Sequence, residues 1–440
     1  MKLAVIGTGY VGLVSGTCFA ALGHEVTCID RDASKIATLK QGGIPIYEDS
    51  LQQLVQENAA ASRLHFTTDL AAGLEGAEAI FIAVGTPVSA LGHGGADLSY
   101  VYAVARDIAP HLKDDAVIVV KSTVPVGTGK RLREIISELR PGLRFEMVSN
   151  PEFLREGCAV KDFMEPDRII TGTETARGKA VMEALYAPLT RQNVPLLITD
   201  IPTAELTKYA ANAFLATKIA FINEMADVCE QTNADVAMLA HGMGLDHRIG
   251  QDFLAPGPGF GGSCFPKDTL ALKKIAQEHK SPVRIVEAVI AANDARKIHM
   301  VTKVRDAFGG SVTGKKIAVL GLAFKANTSD VRESAALALL PALVEQGAHV
   351  QVYDPAAMEE AKHALSTLEV QWCQSLAEVL QGADGAVIVT EWPEFRQLDL
   401  AAAKTQMVQP VLVDLRNCIT PDAAKAAGFT YHSIGRASSA

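Results

Sequence analysis

Residues 2–30 read KLAVIGTGYVGLVSGTCFAALGHEVTCID, which is the pattern of a β-strand, an α-helix and a second β-strand. A short apolar run is followed by Gly7, Gly9 and Gly12, spaced as G-x-G-x-x-G. In a strand-to-helix turn these glycines let a pyrophosphate approach the free N–H groups at the helix N-terminus. The helix is predicted to end just before Gly23, which caps it. The stretch therefore predicts a dinucleotide-binding fold.

An acidic residue follows at the position that such a fold requires. Asp30 ends the second predicted strand, about twenty residues after the glycines, where a carboxylate accepts ribose hydroxyls. Because strand, helix and acid occur in order, a glycine turn without a ligand is the weaker interpretation. Asp30 and Asp32 oppose a 2′-phosphate and favour NAD over NADP, although Arg31 between them weakens this preference. Lys35 could reach the ribose or a phosphate, but a solvated helix lysine is the simpler interpretation.

Three further apolar strands run into polar loops, within residues 77–87, 116–128 and 145–157. Ligands lie beyond the carboxyl ends of the strands in an open parallel sheet, so these loops should line one crevice. Glu152 and Glu156 are the carboxylates there. Helix N-terminal acids that complement the helix dipole are an equally good interpretation of both.

The composition narrows the class of protein. With 440 residues the chain is too long for one core, so two or three domains are expected. The net charge of −9 argues against nucleic acid as the main partner. Seven scattered cysteines without metal-site spacing predict no metal and a reducing, cytoplasmic location. Neither a signal peptide nor a membrane span is expected.

A long helical segment occupies the middle of the chain, at residues 203–230. Lys208 and Asn212 are four residues apart, so they share a face that is otherwise apolar or small. The lysine either snorkels to solvent or points into a site, and the spacing does not decide between these. The length of the helix suggests a connector between two α/β units and the spine of a dimer.

The last third of the chain repeats the first. The repeated segments are KKIAVLGLAFKANTSD (315–330), GAHVQVYDP (347–355) and GADGAVIVTEW (382–392). They predict a second nucleotide-fold sheet from about 313 to 440. Its first turn has lost the second and third glycines and carries Phe324 and Lys325 instead. This favours a different nucleotide ligand, held by charge, although a degenerate duplicate that binds nothing is the alternative.

One cysteine lies in a glycine-rich loop, GFGGSCFPKD, at residues 259–268. A structural cysteine usually packs among apolar side chains, whereas Cys264 is followed by Lys267 and Asp268. A thiol becomes a thiolate most readily beside cations and exposed N–H groups. If Phe265 opens the next helix, Asp268 lies one turn from Cys264, and a proline near the helix start is compatible with that. The loop is thus a candidate nucleophile site.

Several motifs together resemble one family. They are GTGYVG, STVPVGT, NPEFLREG, ELTKYAANAFLATKIAFINE, RIGQDFL, GPGFGGSCFPKD and GLAFKANTSDVRES. In this order, and over nearly the whole chain, they resemble the nucleotide-sugar 6-dehydrogenases, specifically their UDP-glucose branch. The one departure is Asn327 and Ser329, where more acidic residues would be expected before Arg332.

The resemblance implies an architecture. The fold class is α/β, with two Rossmann-like doubly wound parallel-sheet domains joined by a central helical domain with a long helix. The implied domains are an NAD-binding domain at 1–200, a central helical connector and dimerisation domain with the catalytic loop at 201–308, and a UDP-sugar-binding domain at 309–440. The implied partners are a UDP-sugar substrate and a second copy of the chain, joined through the central helix, with no nucleic acid and no membrane.

It also implies a reaction, the two-step oxidation of UDP-glucose to UDP-glucuronate with two NAD, by way of a covalent thiohemiacetal and thioester. Only a covalent nucleophile can hold the aldehyde while one NADH leaves and a fresh NAD arrives. The implied catalytic residues are Cys264 as nucleophile, Lys208 and Asn212 holding the oxyanion, Asp268 as base or water-positioning group, Thr123 ordering the water and Glu152 as acid/base in thioester hydrolysis.

The implied binding residues form two sets. Those for NAD are Gly7, Gly9, Tyr10, Val11, Gly12, Asp30, Lys35, Gly85, Thr86, Pro87, Ser122, Thr123, Glu156, Lys267 and Arg332. Those for the UDP-sugar are Glu152, Phe153, Leu154, Arg155, Glu156, Lys208, Asn212, Arg248, Phe253, Gly259, Phe260, Gly261, Phe324, Lys325 and Arg416. Arginine and lysine suit an anionic diphosphate.

Three alternatives stay open. A sister enzyme would act on GDP-mannose or a UDP-N-acetylhexosamine, but N-acetyl-sugar enzymes usually show histidine before the cysteine and lack the Lys-Asp ending. An NAD-dependent sensor without turnover would be expected to lose Cys264, Lys208 or Asp268, and all three are present. A one-step 2-hydroxy-acid or 6-phosphogluconate-type dehydrogenase would need neither the nucleophile nor the second sheet.

Overall fold

A computed structural model of the chain describes residues 1–89 and 94–436. Two compact units are present. The first contains residues 1–211 and 274–281, and the second contains residues 212–273 and those from 282 onward. Each unit is built around its own β-sheet.

The first unit holds an eight-stranded sheet in the order β3-β2-β1-β4-β5-β6-β7-β8. The first six positions follow the order of a doubly wound dinucleotide fold. All strand pairs are parallel except β6 with β7, whose antiparallel pairing the sequence analysis did not predict. The strands are β1 (Lys2–Ile6), β2 (Glu25–Ile29), β3 (Leu64–Thr67), β4 (Ala79–Ile82), β5 (Ala116–Val120), β6 (Phe145–Ser149), β7 (Ile169–Thr173) and β8 (Leu196–Thr199).

Helices cover both faces of this sheet. On β1, Leu3 and Val5 pack into one apolar cluster, and Ala4 and Ile6 pack into another on the opposite face. A strand buried on both faces is apolar at every position, which is why β1 shows no alternation. The helices are α1 (Tyr10–Ala21), α2 (Ala33–Lys40), α3 (Leu51–Ala60), α4 (Leu70–Leu74), α5 (Ser99–Ile108) with a 3-10 turn (Ala109–His111), α6 (Thr128–Leu139), α7 (Ala159–Met164) and α8 (Ala176–Thr190).

Four long or medium helices form the middle of the chain. They are α9 (Ile201–Thr232), α10 (Val236–Gly244), α11 (Phe265–Glu278) and α12 (Arg284–Ala307). The sequence predicts one second helical stretch, at 268–308, after the cysteine loop. The structure has two helices there, and the first begins at Phe265. Lys280 has a φ of 55°. That left-handed residue, followed by Pro282 without an N–H, separates α11 from α12.

The second unit contains a six-stranded, all-parallel sheet in the order β11-β10-β9-β12-β13-β14. This is again the doubly wound order, so the predicted fold class of two Rossmann-like domains is confirmed. The strands are β9 (Lys316–Leu320), β10 (His349–Tyr353), β11 (Gln371–Trp372), β12 (Gly385–Ile388), β13 (Val411–Asp414) and β14 (Thr430–Ser433). The helices are α13 (Ala335–Glu345), α14 (Met358–Ala364), α15 (Leu376–Leu380), α16 (Pro393–Arg396), α17 (Leu400–Gln406) and α18 (Pro421–Ala426).

Neither a membrane-spanning helix nor a metal-binding cluster is present in the described ranges, 1–89 and 94–436. No helix there has both the length and the apolar character needed to cross a bilayer. No group of three or more His, Cys, Asp or Glu side chains in those ranges is arranged to hold a metal ion.

Candidate active site and nucleotide-binding turns

The glycine turn after β1 has two tightly packed glycines and one open glycine. Gly7 has a φ of 102°, and a Cβ there would lie 2.6 Å from the carbonyl oxygen of Ala83. A Cβ on Gly12 would lie 2.0 Å from the carbonyl oxygen of Gly7. A Cβ on Gly9 would meet no atom within 4 Å. Gly7 and Gly12 allow the turn to fold tightly, and Gly9 leaves room for an anion at the N-terminus of α1.

Asp30 follows β2 and is tied to this turn. Its Oδ2 accepts hydrogen bonds from the amide and the hydroxyl of Thr8, both at 2.8 Å, and its Oδ1 accepts one from the Asp32 amide at 3.0 Å. Burial opposes ionisation of Asp30, but the bonds from Asp32 and Thr8, with the charge of Lys35, lower its pKa. The carboxylate is therefore charged. These residues fit the NAD site that the motif predicts.

The loops after β4 and β5 are hydrogen-bonded to each other. The hydroxyl of Thr86 donates to the carbonyl of Thr123 at 3.0 Å, and the hydroxyl of Ser122 donates to the carbonyl of Val84 at 2.7 Å. The predicted cofactor residues of the 85–87 loop thus lie beside Ser122 and Thr123. They line the carboxyl edge of the first sheet, as predicted for a parallel sheet.

Tyr10, in the first turn of α1, is joined to a residue that the sequence analysis missed. Its hydroxyl contacts the carboxylate of buried Glu48 and accepts a hydrogen bond from the Gly157 amide at 2.8 Å. Glu48 also accepts bonds from Gly157 at 2.8 Å and from Ala159 at 2.7 Å. Tyr10 is thereby connected to the loop that carries half-buried Glu156. No local motif marks Glu48, because Tyr10 lies 38 residues away and Gly157 and Ala159 lie more than a hundred residues away.

Glu152 and Lys208 form a buried ion pair in the first unit. Glu152 Oε1 lies 2.9 Å from Lys208 Nζ, and Glu152 Oε2 accepts the Leu154 amide at 2.6 Å. Burial opposes ionisation of Glu152, but Lys208, the Leu154 amide and Lys121 lower its pKa. Lys208 is 3% exposed, so it does not snorkel to solvent. The pair is thus an ionised carboxylate held by a buried ammonium.

Phe153 lies beside two cations. The guanidinium of Arg168 is 3.9 Å from the centre of its ring, and the ammonium of Lys208 is 5.4 Å from it. Arg168 was not predicted. Arg155, a predicted substrate residue, is held by Asp162, with Nη2 2.6 Å from Oδ1 and Nε 3.0 Å from Oδ2.

A second buried lysine, Lys121, was also missed. Its ammonium donates to Asn150 Oδ1 at 3.0 Å and to the Tyr186 hydroxyl at 3.3 Å. The Tyr186 hydroxyl donates to Asn150 Oδ1 at 2.6 Å. Burial lowers the pKa of Lys121 to about 8, while Glu152 raises it and Lys208 lowers it further. A lysine directly after the apolar strand β5 is the sequence signal that could have found it.

In the second unit, the cysteine loop is anchored by side chains of α9 and α12. Asn293 accepts the Phe260 amide at 2.8 Å and donates to the Phe260 carbonyl at 3.1 Å. Arg296 donates to the Gly257 carbonyl at 3.0 Å, and Asn223 accepts the Gly257 amide at 2.8 Å. The sequence analysis missed Asn223, Asn293 and Arg296. Together they fix the backbone that leads into the cysteine.

The glycines of this loop meet another segment of the same unit. A Cβ on Gly261 would lie 2.4 Å from the Glu333 carbonyl oxygen, and a Cβ on Gly262 would lie 2.7 Å from the Phe324 ring. The Gly262 amide donates to the Arg332 carbonyl at 2.8 Å. Gly261 is thus required by a close backbone contact, and Gly262 by the contact with the Phe324 ring and by its φ of 81°.

Cys264 is the last residue before α11. Its carbonyl accepts the Asp268 amide at 2.8 Å, which closes the first turn of the helix. Its sulfur lies 3.5 Å from the Ser263 hydroxyl. The thiol is half-buried, whereas Cys18, Cys28, Cys229 and Cys373 are buried. The N-terminus of a 14-residue helix favours an anionic sulfur.

Asp268 is buried one turn into α11 and has two side-chain partners. Its Oδ2 accepts Asn212 Nδ2 at 2.6 Å, and its Oδ1 lies 2.6 Å from Lys267 Nζ. The structure therefore brings together Asn212, Lys267 and Asp268. Lys267, predicted to contact the cofactor, is paired with this carboxylate.

Two other predicted substrate residues lie just before the cysteine loop. Arg248 is exposed and bound to Asp246, with Nη2 2.5 Å from Oδ2. Phe253 has a φ of 63°, and its ring centre is 6.0 Å from that of Phe265. Phe253 thus packs against the residue that follows the cysteine, whereas Arg248 projects into solvent.

Of the remaining predicted substrate residues, Phe324 and Lys325 lie in the turn after β9, and Arg416 follows β13. The Arg416 guanidinium donates to the Phe324 carbonyl at 2.7 Å, and its Nε lies 3.1 Å from the carboxylate of Glu391. The ammonium of Lys325 lies 5.7 Å from the centre of the Phe324 ring. Arg332 binds both oxygens of Asp330 at 2.8 Å.

The second sheet also places an aspartate after its second strand, as the first sheet does with Asp30. Asp354 accepts five donors: the amides of Leu322, Ala323, Ala356 and Ala357 and the indole N–H of Trp392. An ionised carboxylate offers about four lone-pair directions, so none is left for a ribose. This sheet therefore lacks the dinucleotide site of the first.

Known proteins match the whole chain. The profiles of the UDP-glucose/GDP-mannose dehydrogenase family match at residues 1–190 (NAD binding domain), 202–295 (central domain) and 318–421 (UDP binding domain). The UDP-glucose 6-dehydrogenase of Rhizobium meliloti is 53% identical over 99% of this chain and 100% of its own length. The UDP-glucose 6-dehydrogenase TuaD of Bacillus subtilis is 49% identical over 99% of this chain and 93% of its own length.

A solved structure agrees with these sequence matches. The UDP-glucose dehydrogenase of Pyrobaculum islandicum superposes with a TM-score of 0.90, at 37% identity, over 99% of this chain and 98% of that one. The matched NAD-binding profile begins with the glycine turn and Asp30 described above. The chain therefore belongs to the UDP-glucose/GDP-mannose dehydrogenase family and is an NAD-dependent dehydrogenase.

Proposed function

We propose that the chain oxidises the primary alcohol of the glucose in UDP-glucose to a carboxylate, giving UDP-glucuronate, in two NAD-dependent steps. The observation that carries this proposal is the position of Cys264, half-buried at the N-terminus of α11, with Asp268 one turn later. The names of the Rhizobium meliloti and Bacillus subtilis relatives support UDP-glucose as the sugar.

The proposed reaction consists of two oxidations and a hydrolysis. The alcohol loses a hydride and a proton and becomes an aldehyde. The Cys264 thiolate adds to the aldehyde carbon, and the resulting thiohemiacetal loses a second hydride to become a thioester. Water then cleaves the C–S bond, which frees the carboxylate and the thiol. NAD, when bound, accepts the two hydrides, so two NADH form for each UDP-glucose.

We assign the side chains around these steps by their charges and partners. Lys208 and Asn212 would donate to the oxygen that becomes negative when sulfur attacks the aldehyde. Glu152, kept ionised by Lys208 despite its burial, would remove a proton from the attacking water, and Thr123 would orient that water. Asp268, fixed by Asn212 and Lys267, would act as a further base or position the water.

The remaining predicted residues keep their proposed binding roles. The glycine turn, Asp30 and the loops at 85–87 and 122–123 would hold NAD in domain 1–200. Domain 309–440, with Phe324, Lys325 and Arg416, would hold the UDP-sugar.

The 201–308 domain would form a homodimer through α9. Phe214, Phe221 and Val228 recur every seven residues on that helix and are 66%, 43% and 51% exposed. A stripe with this repeat suits the packing of a partner helix. Sedimentation of the wild type and of Phe221→Glu would test this proposal, which predicts a dimer and a monomer, respectively. A monomeric wild type would overturn it.

An assay of several sugars tests the substrate. We expect two NADH per UDP-glucose consumed, and little NADH with GDP-mannose or UDP-N-acetylmannosamine. Activity on one of those sugars without activity on UDP-glucose would overturn the proposed substrate.

A variant of the cysteine tests the mechanism. We expect Cys264→Ser to abolish UDP-glucuronate formation, because a serine hydroxyl is a far weaker nucleophile than a thiolate, and to leave NAD binding unchanged. NAD binding is measured by isothermal titration in the same preparation. Normal turnover by the serine variant would contradict the thioester mechanism.

A further inference from the structure

Lys121 is a buried cation with only neutral hydrogen-bond partners. It is 4% exposed, and its ammonium contacts the oxygens of Asn150 and Tyr186. Within the described part of the chain, no carboxylate lies within ion-pair distance of it. Burying an ammonium in this way is costly, and an apolar side chain of the same length would avoid that cost. The lysine therefore needs a reason beyond packing.

The position of Lys121 joins two loops that the proposed reaction uses. Strands β5 and β6 are adjacent and parallel, with Val120 opposite Ser149. Lys121 follows β5 directly and precedes Thr123 by two residues. Asn150, which follows β6 directly, precedes Glu152 by two residues. The hydrogen bond from Lys121 to Asn150 thus spans the two loops that present Thr123 and Glu152.

The positive charges around Glu152 also connect Lys121 to this carboxylate. Lys208, from α9, pairs with Glu152 directly, while the positive charge of Lys121 acts on it from the end of β5. Tyr186, from α8, is the other titratable group against Lys121, and burial raises its pKa, so it stays neutral. One carboxylate is therefore flanked by two buried cations.

We propose that Lys121 is a positioning residue that holds the loops after β5 and β6 in register for the reaction and adds a second positive charge near Glu152. This role rests on the proposed function of Glu152 in the hydrolysis of the thioester. Lys121 acts through Glu152 and Asn150 and takes no part in the bonds that form and break.

The pH dependence of turnover tests this role. Lys121→Met keeps most of the length of the side chain and removes its charge. Tyr186→Phe removes the two hydrogen bonds of the Tyr186 hydroxyl and keeps the charge of Lys121. NADH formation from UDP-glucose is measured at saturating NAD from about pH 3.5 to pH 9, because the pKa of Glu152 lies below its ordinary value of 4.5. We expect the acid limb of kcat to move to higher pH in Lys121→Met, because a carboxylate that loses a nearby cation binds its proton more tightly.

The acid limb of kcat in Lys121→Met should shift by a measurable amount, and two variants that keep the cation serve as controls. A shift of about one pH unit corresponds to about a tenfold loss of kcat on the acid limb, with KM for UDP-glucose little changed. Tyr186→Phe and Lys121→Arg, which both retain the cation, should keep the acid limb of the wild type. Thermal unfolding and NAD binding check that each variant folds.

Three results would overturn the inference. They are an unmoved acid limb in a folded Lys121→Met, an equal shift in Tyr186→Phe, and a shifted limb in Lys121→Arg. The arginine variant carries the test if the methionine variant does not fold. A wild type that yields no NADH from UDP-glucose would instead refute the proposed function, so the two failures are distinguishable.

Discussion

Glu152 and Lys208 form an ion pair that solvent hardly reaches, with Oε1 2.9 Å from Nζ and neither side chain more than 6% exposed. Removal of one partner leaves the other as an uncompensated buried charge, which costs about 3–5 kcal/mol in such pairs. Any substitution here therefore changes stability as well as chemistry. The two effects must be measured separately.

Glu152→Gln should stop the reaction after the oxidations. Glutamine keeps the shape of the side chain but cannot take a proton from water, so hydrolysis of the thioester should slow by about 100-fold or more. We expect a burst of two NADH per active site, one from each oxidation, followed by slow turnover, and a covalent adduct on Cys264 detectable by mass spectrometry. Unfolding by urea reports the stability loss independently. Steady turnover at the wild-type rate without a burst would contradict the role of Glu152.

Asp30→Ala should weaken NAD binding selectively. The carboxylate would lose its bonds to ribose and its two bonds to Thr8, so we expect the KM for NAD to rise about tenfold or more and the KM for UDP-glucose to stay the same. Asp69→Ala is the matched control, because Asp69 caps α4 in the same unit by accepting only the Ala72 amide. An equal rise of both KM values in Asp30→Ala would count against a ribose-binding role.

Gly261→Ala should destabilise the cysteine loop. Its Cβ would lie 2.4 Å from the Glu333 carbonyl oxygen, and a backbone atom cannot move aside cheaply. We expect a loss of about 1–3 kcal/mol in the free energy of unfolding. Gly242→Ala is the control: it lies inside α10 in open space, where alanine should stabilise by about 0.5–1 kcal/mol. Urea denaturation of both variants measures the difference, and equal effects would refute the steric argument.

Glu205→Gln should change how stability depends on pH. Buried Glu205, on α9, accepts the amides of Gly127 and Gly129 at 2.7 and 2.8 Å. Burial nevertheless raises its pKa from 4.5 to about 7, although these two bonds lower it. The folded state thus holds the proton more tightly than the unfolded state. The contribution of this group to stability is complete below about pH 4.5 and is lost as the pH rises through about 7.

Glutamine does not titrate, so the free energy of unfolding of the variant should rise relative to that of the wild type as the pH rises. We expect the difference in the free energy of unfolding, variant minus wild type, to increase by on the order of 2 kcal/mol between pH 5 and pH 8. Chemical denaturation at several pH values measures it. A difference that is constant across this range would mean that Glu205 keeps an ordinary pKa.

The sheets were predictable where glycine, strand and acid recur at fixed spacing, as they do around Gly7 and Asp30. Strand β7 was not predictable, because Ile169–Thr173 is short and pairs antiparallel with β6. This pairing departs from the β-α-β pattern. The gap between α11 and α12 was also missed, since it depends on one left-handed residue and one proline.

The candidate site also contains residues that were predictable from the sequence and residues that were not. Contiguous motifs carry Cys264, Asp268 and Lys208, so these residues can be recognised from a single sequence. Asn223 and Asn293 contact the cysteine loop from 34 and 33 residues away, and polar side chains in long helices look the same whether or not they anchor a loop. Contacts over such distances leave no local spacing to detect.

The saturated carboxylate of Asp354 has a kinetic consequence. Because that side chain has no acceptor left for a ribose, we expect each chain to bind one dinucleotide, at the proposed NAD site beside Asp30. Accumulating NADH should therefore inhibit competitively against NAD and non-competitively against the sugar nucleotide. In the proposed mechanism, the spent cofactor would be exchanged at this place while the half-oxidised sugar stays bonded to Cys264.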